Sequence, residues 1–219
     1  MDASCTLMLS NQVTVMSQTD EARSGRLKLV LLGNQHVGKT SLLRRYVNNV
    51  YNPTYTHTRG GDMFEKELRV DGRRIKLHFV DTAGQADVKS LIRSIYRNAN
   101  GIMVVFDVTN QKSFDTVDGW VERVTKEIEP QPHVMLVGNK HDLKAHREIP
   151  ISQARARADF FCAPYYDVSA KTGDNVKEAF ETWIRETWRN IHPNADTEFG
   201  RSIHIEETDE ESKARCCTS

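Results

Sequence analysis

The run LKLVLLG, Leu27 to Gly33, stops at a glycine and leads directly into GNQHVGKTS, residues 33 to 41. Beyond it Leu42, Leu43, Tyr46 and Val47 recur at helical spacing. A nearly continuous apolar strand must be covered on both faces, and a helix that follows it through a glycine turn packs back on the sheet. The loop between them fits the pattern G-x-x-x-x-G-K-S/T, in which backbone N–H groups and a helix dipole converge on phosphate oxygens.

The rest of the chain repeats this alternation. MFEKELRV and RRIKLHFV alternate in polarity around Asp71-Gly72, a dipeptide suited to a tight hairpin turn. GIMVVFD and HVMLVGN are continuous apolar runs, each followed by a segment with helical potential. Between them Phe114, Val117, Val121, Val124 and Ile128 keep helical spacing. After PYYDVSA a last helix is predicted to bury Val176, Phe180, Trp183, Ile184 and Ile191 before Pro193 discourages continuation. The expected class is α/β, a mostly parallel six-stranded sheet with helices on both faces and one antiparallel edge strand from the hairpin. It occupies residues 25–191, preceded by a flexible extension, 1–24, and followed by a polar, aperiodic tail, 192–219, expected to be disordered.

Thirty basic against thirty acidic residues leave no footprint for nucleic acid at the level of the whole chain. No run of 18 apolar residues and no secretory leader is present, so neither a membrane span nor export is expected. Cys5 and Cys162 are isolated and Cys216 and Cys217 adjoin, which is neither a disulfide framework nor a zinc pattern.

In the phosphate loop, Gly33 and Gly38 allow the turn and close approach, and the backbone across Gln35, His36, Val37 and Ser41 forms the cradle. Lys39 reaches the β and γ phosphates, and the Thr40 hydroxyl can ligate magnesium. DTAGQ, residues 81 to 85, ends a strand, so Asp81 can hold the metal through water while the Gly84 N–H meets the γ-phosphate. NKHD, residues 139 to 142, places Asn139, Lys140 and Asp142 after another strand, and the Asp142 carboxylate can accept two hydrogen bonds from a guanine edge. Adenine offers no such pair of donors. SAK, Ser169, Ala170 and Lys171, can close over the base. Each is weak alone; their order, each at a strand's C-terminal end, is the signal.

This constellation resembles the Ras superfamily of small GTPases over roughly residues 26 to 191, a P-loop NTPase small G domain. The segments YRNANGIMVVFDVTNQKSFDTVDGW and VSAKTGDNVKEAF and the end CCTS are similar to Rab proteins, and the loop with Gln35, followed by TSL, and SLIRSIYR resemble the Golgi-associated Rab subgroup. The resemblance implies bound GTP or GDP with Mg²⁺, and adds three residues. Thr58 matches the switch threonine that completes magnesium coordination, Tyr51 the aromatic flanking the guanine, and Gln85 the glutamine that orients the attacking water. With Lys39, Thr58 and Gln85 form the expected catalytic set, and Thr40, Thr58 and Asp81 the expected metal set. Exchange factors, GTPase-activating proteins, a GDP-dissociation inhibitor or escort protein, and effectors are the implied partners of a monomer. The implied place is the cytoplasmic face of an intracellular membrane, Golgi or endosomal, with a cytosolic pool.

The chain departs from that pattern where Rabs read TIGVDF and WDTAGQE: here stand TRGGDM and VDTAGQA, so two effector anchors become Met63 and Val80. Gln35 aligns nearest the γ-phosphate, where bulk can obstruct hydrolysis. The alternative is therefore a GTP-retaining binding module; a third, a metabolic kinase or ATPase, is opposed by NKHD. The tail carries seven acidic and three basic residues, so a polybasic patch cannot aid membrane attachment. One lipid chain gives only marginal binding, which favours prenyl groups on both Cys216 and Cys217.

Overall fold

The computed structural model describes residues 25–53, 61–70, 73–82, 97–192 and 205–207. The order is β1 (Gly25–Leu32), α1 (Lys39–Asn48), β2 (Gly61–Val70), β3 (Arg73–Thr82), β4 (Gly101–Asp107), α2 (Gln111–Asp115), α3 (Val117–Glu127), β5 (His133–Asn139), α4 (Ile151–Phe160), β6 (Tyr165–Asp167), α5 (Val176–Ile191) and β7 (Ile205–Glu207). A short 3₁₀ turn, Lys144–His146, follows β5.

The sheet runs β6-β5-β4-β1-β3-β2-β7. Strands β6, β5, β4, β1 and β3 are parallel to one another, and β2 is antiparallel to β3. This is the expected six-stranded sheet with one antiparallel strand. A seventh, three-residue strand, Ile205–Glu207, pairs antiparallel with the last three residues of β2. The hairpin turn at 71 and 72 lies outside the described residues, although Val70 pairs directly with Arg73.

Because strand side chains alternate, the buried runs split into two cores. Leu27, Leu29 and Leu31 of β1 join Leu42, Leu43, Phe180 and Trp183 under α1 and α5. Val30 and Leu32 join Phe106, Phe114, Val121 and Ala154 under α2, α3 and α4. Tyr46 stacks on Phe180 with ring centroids 4.3 Å apart, and Phe180 meets Trp183 edge to face. Trp183 is wholly buried. Trp183→Ala is expected to cost about 3–5 kcal/mol in chemical denaturation, the range for emptying an aromatic site in a packed core.

Two helix details differ from the periodicity. The stripe from Phe114 to Ile128 is carried by two helices that meet at Thr116, and Ile128 is extended beyond the second. Asn110 caps the first by accepting from the Ser113 amide, whereas the second starts after Thr116 with no side-chain cap. On α5, Ile191 is exposed and Trp188 is buried in its place. A Cβ on Gly25 would lie 2.6 Å from the Trp188 ring, so α5 reaches the beginning of β1 at that turn and Ile191 extends past it.

Candidate functional site

All five parallel strands end at the same side of the sheet, at Leu32, Thr82, Asp107, Asn139 and Asp167. Open α/β sheets bind ligands in the crevice beyond these carboxyl ends. Gly33 has φ 135°, and a Cβ there would stand 2.1 Å from the Val105 carbonyl. Gly38 has φ 95°, and a Cβ would stand 2.3 Å from Asn139 Nδ2. Side chains are excluded at both positions by space as well as by backbone conformation. Between them His36 adopts φ 64° and is exposed, Gln35 is half-buried, and the Val37 side chain points into the core.

Helix α1 starts at Lys39 with no side chain capping its N-terminus and no acidic residue in its first turn. Its first backbone N–H groups thus face the loop with the positive end of the helix dipole, the arrangement that receives an anion. Lys39 is only 6% exposed, and its ammonium donates to the carbonyls of Gly33 and Asn34, each at 2.9 Å. Burial lowers its pKa to about 8, and the nearby Asp81 carboxylate partly offsets this. At neutral pH a buried cation is held inside the loop that should close on phosphate.

The Thr40 hydroxyl donates to Asp81, whose side chain is fully buried. A hydroxyl and a carboxylate, both oxygen donors beside a phosphate cradle, suit a hard divalent cation that keeps several waters. These residues fit Mg²⁺; Thr58, the third expected ligand, lies outside the described residues, as do Gly84 and Gln85.

At the opposite end of the crevice Asn139 acts as a strut. Its Nδ2 donates to the Val37 carbonyl at 2.8 Å, and its Oδ1 accepts from the Ala170 amide at 3.1 Å. One buried side chain therefore ties the phosphate loop, the strand end and the Ser169-Ala170-Lys171 loop together. Asp142 accepts from the Ser169 hydroxyl at 2.7 Å, which orients its carboxylate. Ser169 also receives the Thr172 amide, tightening that loop. Lys140 has φ 69°, and its ammonium is held by Asp107 at 2.5 Å. Tyr51 is half-buried against the core on the α1 and α5 side. The Ser41 side chain is half-buried on α1, and that of Lys171 is exposed.

Periodicity and motif spacing missed three residues. Arg45, on α1, donates from Nε to the Ala170 carbonyl at 2.9 Å and from a guanidinium NH₂ to the Lys171 carbonyl at 2.8 Å. Asp107, at the end of β4, is the counter-ion of Lys140. Asn34 accepts at Oδ1 from Thr116 at 3.0 Å and from the Trp120 indole at 3.3 Å, anchoring the phosphate loop to α3. An arginine on a helix reads as a solvated face, and nothing local in the sequence marks these three. Arg45→Ala should speed release of bound nucleotide about tenfold, as two carbonyls lose charge-assisted hydrogen bonds, measured by loss of a fluorescent guanosine nucleotide.

The Ras family model matches residues 28–189 of the chain. The GTP-binding protein ypt2 of Schizosaccharomyces pombe is 35% identical over 192 residues, covering 87% of this chain and 96% of that protein. Among the described residues, no helix is long and apolar enough to cross a membrane.

Proposed function

The chain belongs to the Ras family of small GTPases, as a member of the Rab type, and from that premise we propose that it is a GDP/GTP switch that recruits effectors in intracellular membrane traffic. The observation that carries this reading is the coupling at Asn139: the phosphate loop and the loop holding Asp142 beside Ser169 are joined in one rigid crevice. In it, the Lys39 ammonium offsets charge on the β and γ phosphates, and the Asp142 carboxylate accepts from N1 and N2 of guanine. The Ala170 and Lys171 backbone covers the base, with Tyr51 at its flank. Thr40, Asp81 and Thr58 would hold Mg²⁺, which when bound draws charge from the phosphate oxygens. Gln85 orients the attacking water, and Thr58 and the Gly84 amide sense the γ-phosphate, so hydrolysis releases the two segments that carry them.

Binding is tested by titration calorimetry with GTP, GDP and ATP; equal affinity for ATP and GTP would overturn the guanine assignment. Turnover is tested by single-turnover hydrolysis, expected on the order of 10⁻³ s⁻¹ or slower, accelerated by an activating protein and abolished in Gln85→Leu. A rate of zero under every condition would favour a GTP-retaining binding module, the reading that a half-buried Gln35 in the phosphate loop supports.

Prenyl groups on Cys216 and Cys217 would anchor the protein to the cytoplasmic face of a Golgi or endosomal membrane, with an escort or dissociation inhibitor maintaining a cytosolic pool. Replacing both cysteines by serine should leave the tagged protein wholly cytosolic; retention on membranes would refute the anchor. Met63 is 66% exposed on β2 and pairs across the strands with the nearly buried Val80. An exposed thioether beside a buried aliphatic offers no aromatic anchor, which supports effectors of a different kind from those of ordinary Rabs. Full-strength capture by generic Rab effectors would contradict this.

A further inference from the structure

Strand β2 is ten residues long, and beyond β3 its free side would present a row of unpaired N–H and C=O groups, the usual template for unwanted strand pairing. Over its last three residues that row is covered by the chain's own tail: Val70, Arg69 and Leu68 pair antiparallel with Ile205, Glu206 and Glu207. The covered stretch lies away from the nucleotide crevice. Asp62 pairs with Asp81 at the crevice end of the hairpin, whereas Val70 pairs with Arg73 at the other.

Two independent features match this occupant to this edge. The first is charge. Arg69 is exposed, Arg73 and Arg74 are half-buried, and Lys76, paired with Glu67, is also exposed. The tail from 205 to 211 reads IEETDEE, with five acidic residues and no basic one. The second is the route. Trp188 packs on Gly25, and Gly25 pairs with Ile75, so α5 ends beside the start of β3. The charge of Arg73 is felt at His192, where the tail begins. From there the tail need cross only two strand spacings of about 4.8 Å each, and the segment 193–204 would span roughly 40 Å if extended.

We propose that the edge of β2 from Leu68 to Val70 is a docking surface for this chain's own acidic tail segment, and that the docked strand sets how far the C-terminal cysteines extend from the domain. An undocked tail from residue 192 reaches about 90 Å, whereas from Glu207 to Cys216 the free length is about 30 Å. The anchor point is then Leu68 on β2, and because the docked strand is antiparallel to β2 the chain leaves Glu207 heading toward the crevice end of the sheet. Salt weakens the docking, because part of the attraction is electrostatic.

The test uses the full-length, unlipidated protein and amide hydrogen exchange. Those amides from Leu68 to Val70 that point toward the tail strand are expected to exchange at least tenfold more slowly in the full chain than in a variant ending at Asn194, while those that point to β3, and the amides of β1 and β4, are unchanged. Replacing Glu206, Glu207, Glu210 and Glu211 by Gln and Asp209 by Asn should lose most of that protection. Equal exchange in the full and truncated chains would overturn the proposal. As a second measurement, Arg69→Cys with Glu206→Cys is made in a chain whose four native cysteines are serine. Directly opposed antiparallel residues lie within disulfide reach, so a cross-link within one chain is expected. A cross-link only between chains would refute docking in cis. Neither readout involves nucleotide turnover, so this proposal and the switch reading stand or fall separately.

Discussion

Lys39→Met is expected to weaken GTP and GDP binding by about 10²- to 10⁴-fold, since removing one partner of a buried charge pair costs roughly 3–5 kcal/mol and leaves the phosphate charge uncompensated. Methionine keeps the stem that fills the buried position, so the loss falls on charge and not on packing. The nucleotide-free protein should respond differently. Its Lys39 has a pKa near 8, lowered from 10.5 by burial and held up in part by Asp81. Between those values the unfolded chain keeps the proton and the folded chain releases it, so stability rises as pH rises through that window. In Lys39→Met this rise should disappear. Calorimetric affinity measured together with denaturation at pH 7 and pH 10 checks both halves; an unchanged affinity would remove Lys39 from the phosphate site.

Asp142→Asn is expected to lower affinity for guanosine nucleotides by about 10²- to 10⁴-fold while leaving the weak affinity for ATP unchanged. Each hydrogen bond to a charged acceptor contributes about 1.5–3 kcal/mol, and two donors on the guanine edge would lose theirs or meet an NH₂ group. One carboxylate oxygen already accepts from the Ser169 hydroxyl at 2.7 Å, but each oxygen has a second lone pair, so the orienting bond does not consume the recognition capacity. Asparagine keeps the size and one acceptor, so Ser169 can still be satisfied and the loop should remain in place. A matched competition between GTP and ATP reads the result, and an unchanged preference for guanine would place its recognition elsewhere.

The residues that build the site differ in how far the sequence alone exposes them. Lys39, Thr40 and the two glycines are written in eight contiguous residues, because a backbone cradle at a strand-to-helix turn is a local object. Asp142 and the Ser169 loop are separated by 27 residues, but each follows an apolar strand, so parallel topology alone brings them to one end of the sheet. Arg45 could not be read in this way. Its partners are 125 and 126 residues away, and on a helix whose other face is apolar it has the appearance of a solvated side chain. Asn139 was legible as a member of NKHD but not as a strut, since its value depends on two carbonyl and amide groups from different loops arriving within hydrogen-bond distance. Ile191 was misplaced for a complementary reason: periodicity tells which face of a helix is apolar, not where the sheet beneath it ends.

Local chemistry by itself determined the alternation of strands and helices, the phosphate loop and the residue types poised for guanine and a hard cation, since each depends on neighbours a few positions apart. Only the folded chain decided which distant groups lock those loops together and that Ile205–Glu207 occupies the side of β2. A three-residue acidic strand has too little apolar surface to announce itself. Its hydrogen-bond partners exist only once the hairpin has presented an edge.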